Sequence, residues 1–271
     1  MLSDEQKNRI SEVIKKILLS SLRKFPKVDQ QNRNAPFHDI ILKTFEKELQ
    51  HVNISTPYLL AISSWLHGLS TSMGSSYESL VHILSGGYKR KFTAAFTLKV
   101  KVSQASTIEN IIRELKAGNK VRLPNTSVEN RLIFKFKSNE KEINALEFTV
   151  DNYIETKKYI EGIELKSVRP NSGEGRGEKQ KILYAKAAFK KLHPTKEIKY
   201  YVGFPFDPTS NDAVSFNKER FFNYLIEFKK FFSPEEVLIA SELWDHLSGH
   251  SHTMDEIFEI ITKTIEKVNR R

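Results

Sequence analysis

The segment Ile160–Ser167, with the sequence IEGIELKS, constrains the fold more than any other part of the chain. We interpret it as a β-strand, in which residues two apart lie on the same face. In such a strand Glu164 and Lys166 point to one side, and Ile163 and Leu165 point to the other. The apolar pair would anchor the strand in a core and leave the charged pair at its edge.

A second carboxylate stands close enough in the sequence to join this charged pair. Asp151 follows the apolar run Ala145–Val150, a predicted strand, and a hairpin would bring it to Glu164. Mg²⁺ binds carboxylate oxygens, carbonyl oxygens and waters, and a nearby lysine can hold the attacking water or the phosphate. The group therefore fits magnesium-dependent hydrolysis of phosphodiesters, although E-x-K also occurs in ordinary exposed strands. Glu147 and Glu155 are alternatives for the first acid.

Charge and cysteine content narrow the classes of function. The chain has 271 residues, 39% of them apolar and 18 of them Phe, which is enough to bury a core. Its net charge of +10 favours polyanionic partners, of which nucleic acid is the commonest. It has no cysteine, which excludes disulfides, thiolate nucleophiles and cysteine-type zinc sites.

Targeting and nucleotide-binding patterns are not found in the sequence. The segment Met1–Phe25 is charged throughout and lacks the apolar core of a signal peptide, and no stretch approaches the length of a transmembrane helix. We therefore expect a soluble, cytoplasmic protein without membrane contact. The phosphate-binding pattern G-x-x-x-x-G-K-[ST] does not occur either, so no nucleotide cofactor is expected.

Hydrophobic periodicity predicts an α/β protein, here taken as a single domain over residues 1–271. It would have a helical N-terminal part (1–90), a sheet core that carries the catalytic residues (91–210) and C-terminal helices (211–271). The predicted helices are Ser3 to Pro26 with a Ser3–Gln6 capping box, Pro36–His51, Pro57–Leu69, Tyr77–Leu84 after a polar turn at Gly68 to Gly74, Ile108–Lys116, Gly177–Leu192, Asn217–Phe231, Pro234–Leu247 and Thr253–Val268. The predicted strands are Lys91–Val102, Leu132–Lys137, Ala145–Val150, Tyr159–Lys166 and Glu197–Phe204.

Candidate DNA contacts surround the charged strand. The segment Lys166–Ile182 is a polar, glycine-containing stretch in which arginines could grip phosphates or guanine edges. The basic run Tyr88–Phe92 has flanking aromatics and is a candidate for backbone contacts. The residues proposed to bind DNA are Arg169, Asn171, Arg176, Lys179, Gln180, Lys89 and Arg90. Gln180 also forms a Q-x-x-x-Y spacing with Tyr184, known from recombination nucleases.

The histidines near the C-terminus form the other candidate metal-binding group. His246, His250 and His252 could ligate zinc, but no acidic partner stands at a convincing spacing, so a turn between two helices is the preferred interpretation.

Longer stretches of the chain resemble a known family. Asp151, Glu164, Leu165 and Lys166 match the PD-(D/E)XK nuclease pattern, with Val150 in place of the proline. The string IELKSVRPNSGEGRGEKQKIL and the segment Gly203–Ser210 resemble type II restriction endonucleases, specifically a family that cleaves GGNCC sites. The strings NAPFHDIIL and HGLSTSMGSSYE also resemble segments of that family, so the resemblance extends over most of the chain.

The resemblance implies a central mixed β-sheet flanked by α-helices, Mg²⁺ as cofactor, and a homodimer that cuts double-stranded DNA at a palindrome. Asp151, Glu164 and the backbone carbonyl of Leu165 would bind the metal, and Lys166 would act on water or phosphate. Many nucleases of this fold add a glutamate from a helix before the sheet. Glu78 is the candidate for that position and Glu46 is the second choice.

Two other functions remain open from the sequence. A repair or recombination nuclease of the same fold would act on DNA ends or structures rather than on a sequence. A non-catalytic DNA-binding protein would explain the charge, but it leaves the carboxylate–lysine group without a role.

Overall fold

The computed structural model describes residues 1–27, 35–93, 96–118, 121–167 and 172–270. Within this part of the chain the helices are α1 (Asp4–Arg23), α2 (Pro36–Leu42), α3 (Glu46–His51), α4 (Thr56–Ser85), α5 (Val102–Ala117), α6 (Thr126–Ile133), α7 (Ser172–Leu192), α8 (Lys218–Tyr224), α9 (Ser241–Ser248) and α10 (Thr253–Asn269). The strands are β1 (Tyr88–Phe92), β2 (Lys99–Lys101), β3 (Glu142–Asn144), β4 (Phe148–Glu155), β5 (Tyr159–Leu165), β6 (Glu197–Phe204) and β7 (Val237–Ile239).

The chain forms two compact units, which are described separately. One unit contains Met1–Leu2 and Val81–Glu256, and the other contains Ser3–Leu80 and Ile257–Arg271. The single-domain assignment for the whole chain stays a prediction. No helix of the described ranges combines the length and the apolar composition that crossing a membrane requires.

The larger unit is built on a mixed five-stranded sheet in the order β1-β4-β5-β6-β7. The pairs β1–β4 and β4–β5 are antiparallel, whereas β5–β6 and β6–β7 are parallel. Helix α7 connects the parallel strands β5 and β6, as a crossover of this kind requires. A separate two-stranded ribbon pairs β2 with β3. The predicted mixed sheet with flanking helices is confirmed.

The apolar face of helix α7 combines small residues with larger ones. Ala185, Ala187 and Ala188 are fully buried and allow a close approach of the helix to the sheet, while Phe189 inserts into an aromatic cluster. The other rings of that cluster are Phe92, Phe148 and Tyr153. The packing of α7 against this cluster also fixes the side chains of the helix that face the ends of β4 and β5.

The smaller unit contains α1 and most of α4. Helix α1 begins with the predicted capping box, in which Ser3 and Gln6 each bond the backbone of the other. Trp65 of α4 donates from its indole nitrogen to the carbonyl of Ser21 at 3.0 Å, and its ring meets Phe25 edge-on. These contacts join α4 to the end of α1.

The predicted polar turn at Gly68 to Gly74 is wrong, since α4 runs unbroken through both glycines. Hydroxyl groups along this stretch bond the carbonyl four residues earlier: Thr71 to His67 at 3.0 Å and Ser72 to Gly68 at 2.9 Å. Inside a helix these side chains satisfy their own polar groups in this way, so a polar composition does not break it. The helix predicted over Pro36–His51 is interrupted instead, and forms α2 and α3 with a 3₁₀ turn between them.

Two strand predictions and one helix prediction need correction. Leu132–Lys137 is the end of α6 and the turn after it, because Asn125 caps the helix by accepting from the amide of Val128. In the described part of Lys91–Val102, the last residues of β1 and the short β2 are separated by residues 96–98, which are not strand. The helix predicted over Pro234–Leu247 contains a strand: β7 is buried along its whole length beside β6.

Candidate active site

Strands β4 and β5 place the two predicted carboxylates opposite each other. The antiparallel register that pairs Asn152 with Ile163 sets Asp151 opposite Glu164 on the neighbouring strand. The side chain of Asp151 accepts from the amide of Leu165 at 3.0 Å, which holds one of its oxygens, Oδ2, against the end of β5. The hairpin expected from the sequence is present.

A local irregularity in β4 falls at Asp151. Two pairs with β1 define it: Arg90 with Val150, and Tyr88 with Tyr153. Between them Asp151 and Asn152 face the single residue Lys89, which is the arrangement of a β-bulge. Bulges redirect side chains at the edges of sites. The other oxygen of Asp151, Oδ1, lies 3.5 Å from the ammonium of Lys89.

Glu164 is buried but charged groups surround it. Its Oε1 lies 2.9 Å from Nζ of Lys181 and 3.8 Å from Nζ of Lys166. Its Oε2 is buried and has no hydrogen-bond partner among the described residues. A buried carboxylate oxygen without a hydrogen-bond partner, beside a second carboxylate, is unfavourable in free energy unless a cation binds there.

Helix α7 supplies two residues that were not predicted as site residues. Glu178 accepts from Nζ of Lys166 at 2.9 Å, and its second oxygen lies 2.6 Å from Nζ of Lys181. The spacing of Glu178 and Lys181 places them on one helix face. The sequence signal for these two residues was an oppositely charged i, i+3 pair in the helix that follows the E-x-K strand. Such a pair looks the same as a surface ion pair until the crossover of α7 between β5 and β6 is known.

Burial and charge shift the ionisation of this group. Burial, followed by the nearby carboxylates of Glu178 and Asp151, raises the pKa of Glu164 to about 7, although Lys181 acts in the opposite direction. Burial alone would lower the pKa of Lys166. The carboxylates of Glu178, Glu164 and Glu174 together more than offset that effect, so the pKa of Lys166 is raised and the ammonium form is favoured.

The raised pKa of Glu164 predicts how stability depends on pH. A carboxyl with a higher pKa in the folded state stabilises the protein below its unfolded value near 4.5, and that contribution is lost as the pH rises through about 7. Glu164→Gln removes this loss, so in EDTA at pH 8 the variant should be more stable by about 2 kcal/mol. At pH 5 the two proteins should differ little. Urea unfolding at both pH values measures the difference, and equal gains at the two pH values would contradict the assignment.

The residues present fit a hard divalent cation. Asp151 and Glu164 offer carboxylate oxygens at adjacent strand positions, and Mg²⁺ commonly uses one or two protein carboxylates with water and substrate phosphate as further ligands. No cluster of three or more His, Cys, Asp or Glu side chains suited to a metal occurs among the described residues. Two carboxylates suit magnesium better than zinc, which prefers a closed set of nitrogen or sulfur ligands.

The alternatives for the first acid lie elsewhere. Glu155, at the end of β4, is paired with Lys196 at 2.7 Å and accepts from the hydroxyl of Tyr153, and these contacts lower its pKa to about 2. Glu147 is exposed and precedes the strand. Neither residue has the position opposite Glu164 that Asp151 occupies.

One DNA-binding assignment is corrected by the structure. Lys179 is fully buried, and its ammonium lies 2.6 Å from Glu129 and 2.7 Å from Glu236. Its charge is neutralised inside the protein and is not presented to DNA. The lysine was expected at the surface because it stands in the polar segment Lys166–Ile182 beside the charged strand.

The other DNA-binding candidates have different surroundings. Arg176 is exposed on α7, and Lys89 and Arg90 are partly exposed on β1. Arg90 lies over the ring of Tyr153 and pairs with Glu155. Gln180 and Tyr184 share one face of α7, as their spacing predicts, and both donate to Glu109 of α5. Arg169 and Asn171 lie outside the described residues.

Two further groups of predicted metal ligands remain: Glu78 or Glu46 as an additional glutamate, and the histidines near the C-terminus. Glu78 is half-buried in α4 and Glu46 stands in the first turn of α3, both in the smaller unit, so their part in the site stays a prediction. His246 contacts Glu161 at 3.1 Å, whereas His252 contacts Asp255 in an exposed turn. The three histidines lie in and beside the connection between α9 and α10, as the turn interpretation expects.

Strands β4 and β5 of the mixed sheet thus bring two carboxylates together, and a lysine follows directly after β5. The family model described as type II restriction endonuclease, HinfI, matches residues 2–265, and the chain belongs to this family. It is 45% identical over 262 residues to the type II restriction enzyme MjaII of Methanocaldococcus jannaschii, covering 92% of this chain and 69% of that protein. The chain is therefore a site-specific endonuclease whose substrate is double-stranded DNA, of a class that generally uses a divalent metal.

Proposed function

We propose that this enzyme hydrolyses both strands of a short GC-rich palindrome, GGNCC by resemblance, with Mg²⁺ as cofactor, and leaves 5′-phosphate and 3′-hydroxyl ends. The observation that carries the proposal is the position of Asp151 opposite Glu164, with Lys166 directly after the same strand. No other pair of neighbouring strands in the described residues combines opposed carboxylates with a lysine in this way.

Asp151, Glu164 and the carbonyl of Leu165 are the groups that would hold the cation. When bound, Mg²⁺ supplies Lewis-acid stabilisation of the charge that develops on the phosphoryl oxygens and lowers the pKa of water. Lys166 lies at the end of β5, where its ammonium can contact the scissile phosphate or orient the attacking water. Glu178 and Glu174, at 2.9 and 3.4 Å, hold this ammonium in place before DNA binds.

The pairing of Lys166 with the sheet also restricts its movement. Its backbone amide donates to the carbonyl of Gly203 on β6 at 2.9 Å, so the residue continues the parallel ladder beyond β5. A group fixed by main-chain bonds is better positioned for in-line attack than one on a free loop.

Two subunits are part of the proposal because a palindrome presents the same sequence on each strand. Each subunit would cut one strand, which a twofold homodimer does with one active site per chain. The net charge of +10 supports attraction to the DNA backbone. Arg176, Gln180, Lys89 and Arg90 are the described residues proposed to contact that backbone or the bases.

Digestion of a sequenced, unmethylated plasmid with and without Mg²⁺ tests the proposed function. We expect discrete Mg²⁺-dependent fragments, and sequencing of their ends should place every cut within GGNCC and show 5′-phosphates. Discrete fragments with a different shared sequence would overturn the GGNCC assignment and keep the enzyme class. A smear or digestion from the ends would contradict sequence-specific cutting and favour a repair nuclease.

A further inference from the structure

Lys181 forms an ion pair with Glu164, the carboxylate that the proposed function assigns to the metal. Its ammonium lies 2.9 Å from Oε1 of Glu164 and 2.6 Å from Oε2 of Glu178. Lys181 is only 17% exposed, so water screens these contacts weakly. The ammonium is therefore the nearest positive charge to the ionised form of Glu164 in the structure.

A bound divalent cation and this ammonium would stand beside the same carboxylate. Like charges a few ångströms apart in a poorly screened site repel strongly. We propose that Lys181 is an internal counter-ion that competes with the divalent cation for Glu164, and that Glu178 takes over the lysine when the cation binds. This inference rests on the proposed function, because it requires Glu164 to be a metal ligand.

Glu178 allows Lys181 to leave Glu164 at a low cost in free energy. An ammonium left without a partner in a buried site would be strongly destabilising. Lys181 already lies 2.6 Å from Glu178, so it can release Glu164 and still be paired. Glu178 also holds Lys166 at 2.9 Å, so it joins the two lysines of the site through its two oxygens. Lys181 and Glu178 are positioning residues in this arrangement, since they act through Glu164 and Lys166.

The competing explanation is that Lys181 only fastens α7 to β5. A fastening role predicts that its removal loosens the helix and weakens cation binding or leaves it unchanged. Competition predicts the opposite sign, which is tighter binding of the cation once the ammonium is gone. Cation affinity therefore separates the two explanations, and it requires neither DNA nor turnover.

The experiment is a titration of the DNA-free protein with Mn²⁺, followed by calorimetry or by the electron paramagnetic resonance signal of free Mn²⁺. We expect Lys181→Met and Lys181→Gln to bind Mn²⁺ about tenfold more tightly than the unaltered protein, because a neighbouring positive charge is removed. Lys181→Arg keeps the charge and should restore the original affinity to within about twofold. Lys191→Met is the matched control: it removes a lysine from the same helix whose partner is Glu142, and it should leave the affinity unchanged.

Each outcome separates this inference from the proposed function. Equal or weaker Mn²⁺ binding by both neutral variants, in proteins whose circular dichroism is unaltered, would overturn the counter-ion role. A gain of the same size in Lys191→Met would also overturn it, because the effect would then be general charge. Mn²⁺ affinity that is unaffected by Glu164→Gln would show that the metal site itself is wrongly assigned, which defeats the proposed function first.

Discussion

We expect Glu164→Gln to lose almost all DNA cleavage while the protein remains folded. The variant keeps the shape of the side chain but lacks the charge that is proposed to hold the cation, and the loss of such an electrostatic contribution lowers the rate by about a hundred- to a thousandfold. The measurement is single-turnover cleavage of a plasmid at saturating Mg²⁺, with DNA binding followed in parallel by gel shift in Ca²⁺.

A matched control separates the site from general charge effects. Glu197 is an exposed carboxylate on β6 that pairs with Lys199, and Glu197→Gln should cleave at the unaltered rate. Near-normal cleavage by Glu164→Gln would disprove the assignment of this carboxylate to the metal. The same variant is also the one expected to gain stability at pH 8, so loss of activity through unfolding is tested in the same protein.

We expect Lys179→Met to destabilise the larger unit strongly. This lysine is fully buried between Glu129 and Glu236, and Lys186 lies 3.6 Å from the same Glu236. Removing one cation from a buried group leaves carboxylate charge without compensation, which costs about 3–5 kcal/mol. Because whole domains are stabilised by only about 5–15 kcal/mol, the change removes a large share of the total.

Chemical denaturation measures this loss, with a surface lysine as the control. Lys263 of α10 also pairs with a glutamate, Glu259, but both side chains are largely exposed. Lys263→Met should change the free energy of unfolding by less than about 1 kcal/mol. Similar losses for Lys179→Met and Lys263→Met would mean that the buried ion group contributes no more than a surface pair.

Sequence periodicity was sufficient where one element buries a regular face. β6 alternates in burial and then buries a continuous run, β5 is buried over five consecutive residues, and both were found within two residues of their ends. β7 was missed because three apolar residues between charged ones fit a helix equally well. This segment forms a strand because it pairs with β6, and such pairing depends on tertiary structure that a local sequence pattern does not encode.

The site was predictable to the extent that it lies on neighbouring strands. Asp151 and Glu164 follow from a hairpin, which relates residues close in sequence. Glu178 and Lys181 join the site only because α7 crosses from β5 to β6, and Lys179 enters the interior because partners from two other elements meet it there. Such neutralising partners decide whether a charge is exposed or buried, and they cannot be read from the helix that carries it.

The bulge at Asp151 restricts which insertions and deletions this segment of the chain can tolerate. On one side β4 follows the register of β1 with one extra residue, and on the other it pairs regularly with β5. Deleting a residue here would repair the first register and shift the second, turning the following side chains to the wrong face. Insertions and deletions should therefore accumulate in the loops of related enzymes, while the number of residues from Val150 to Tyr153 is inherited unchanged.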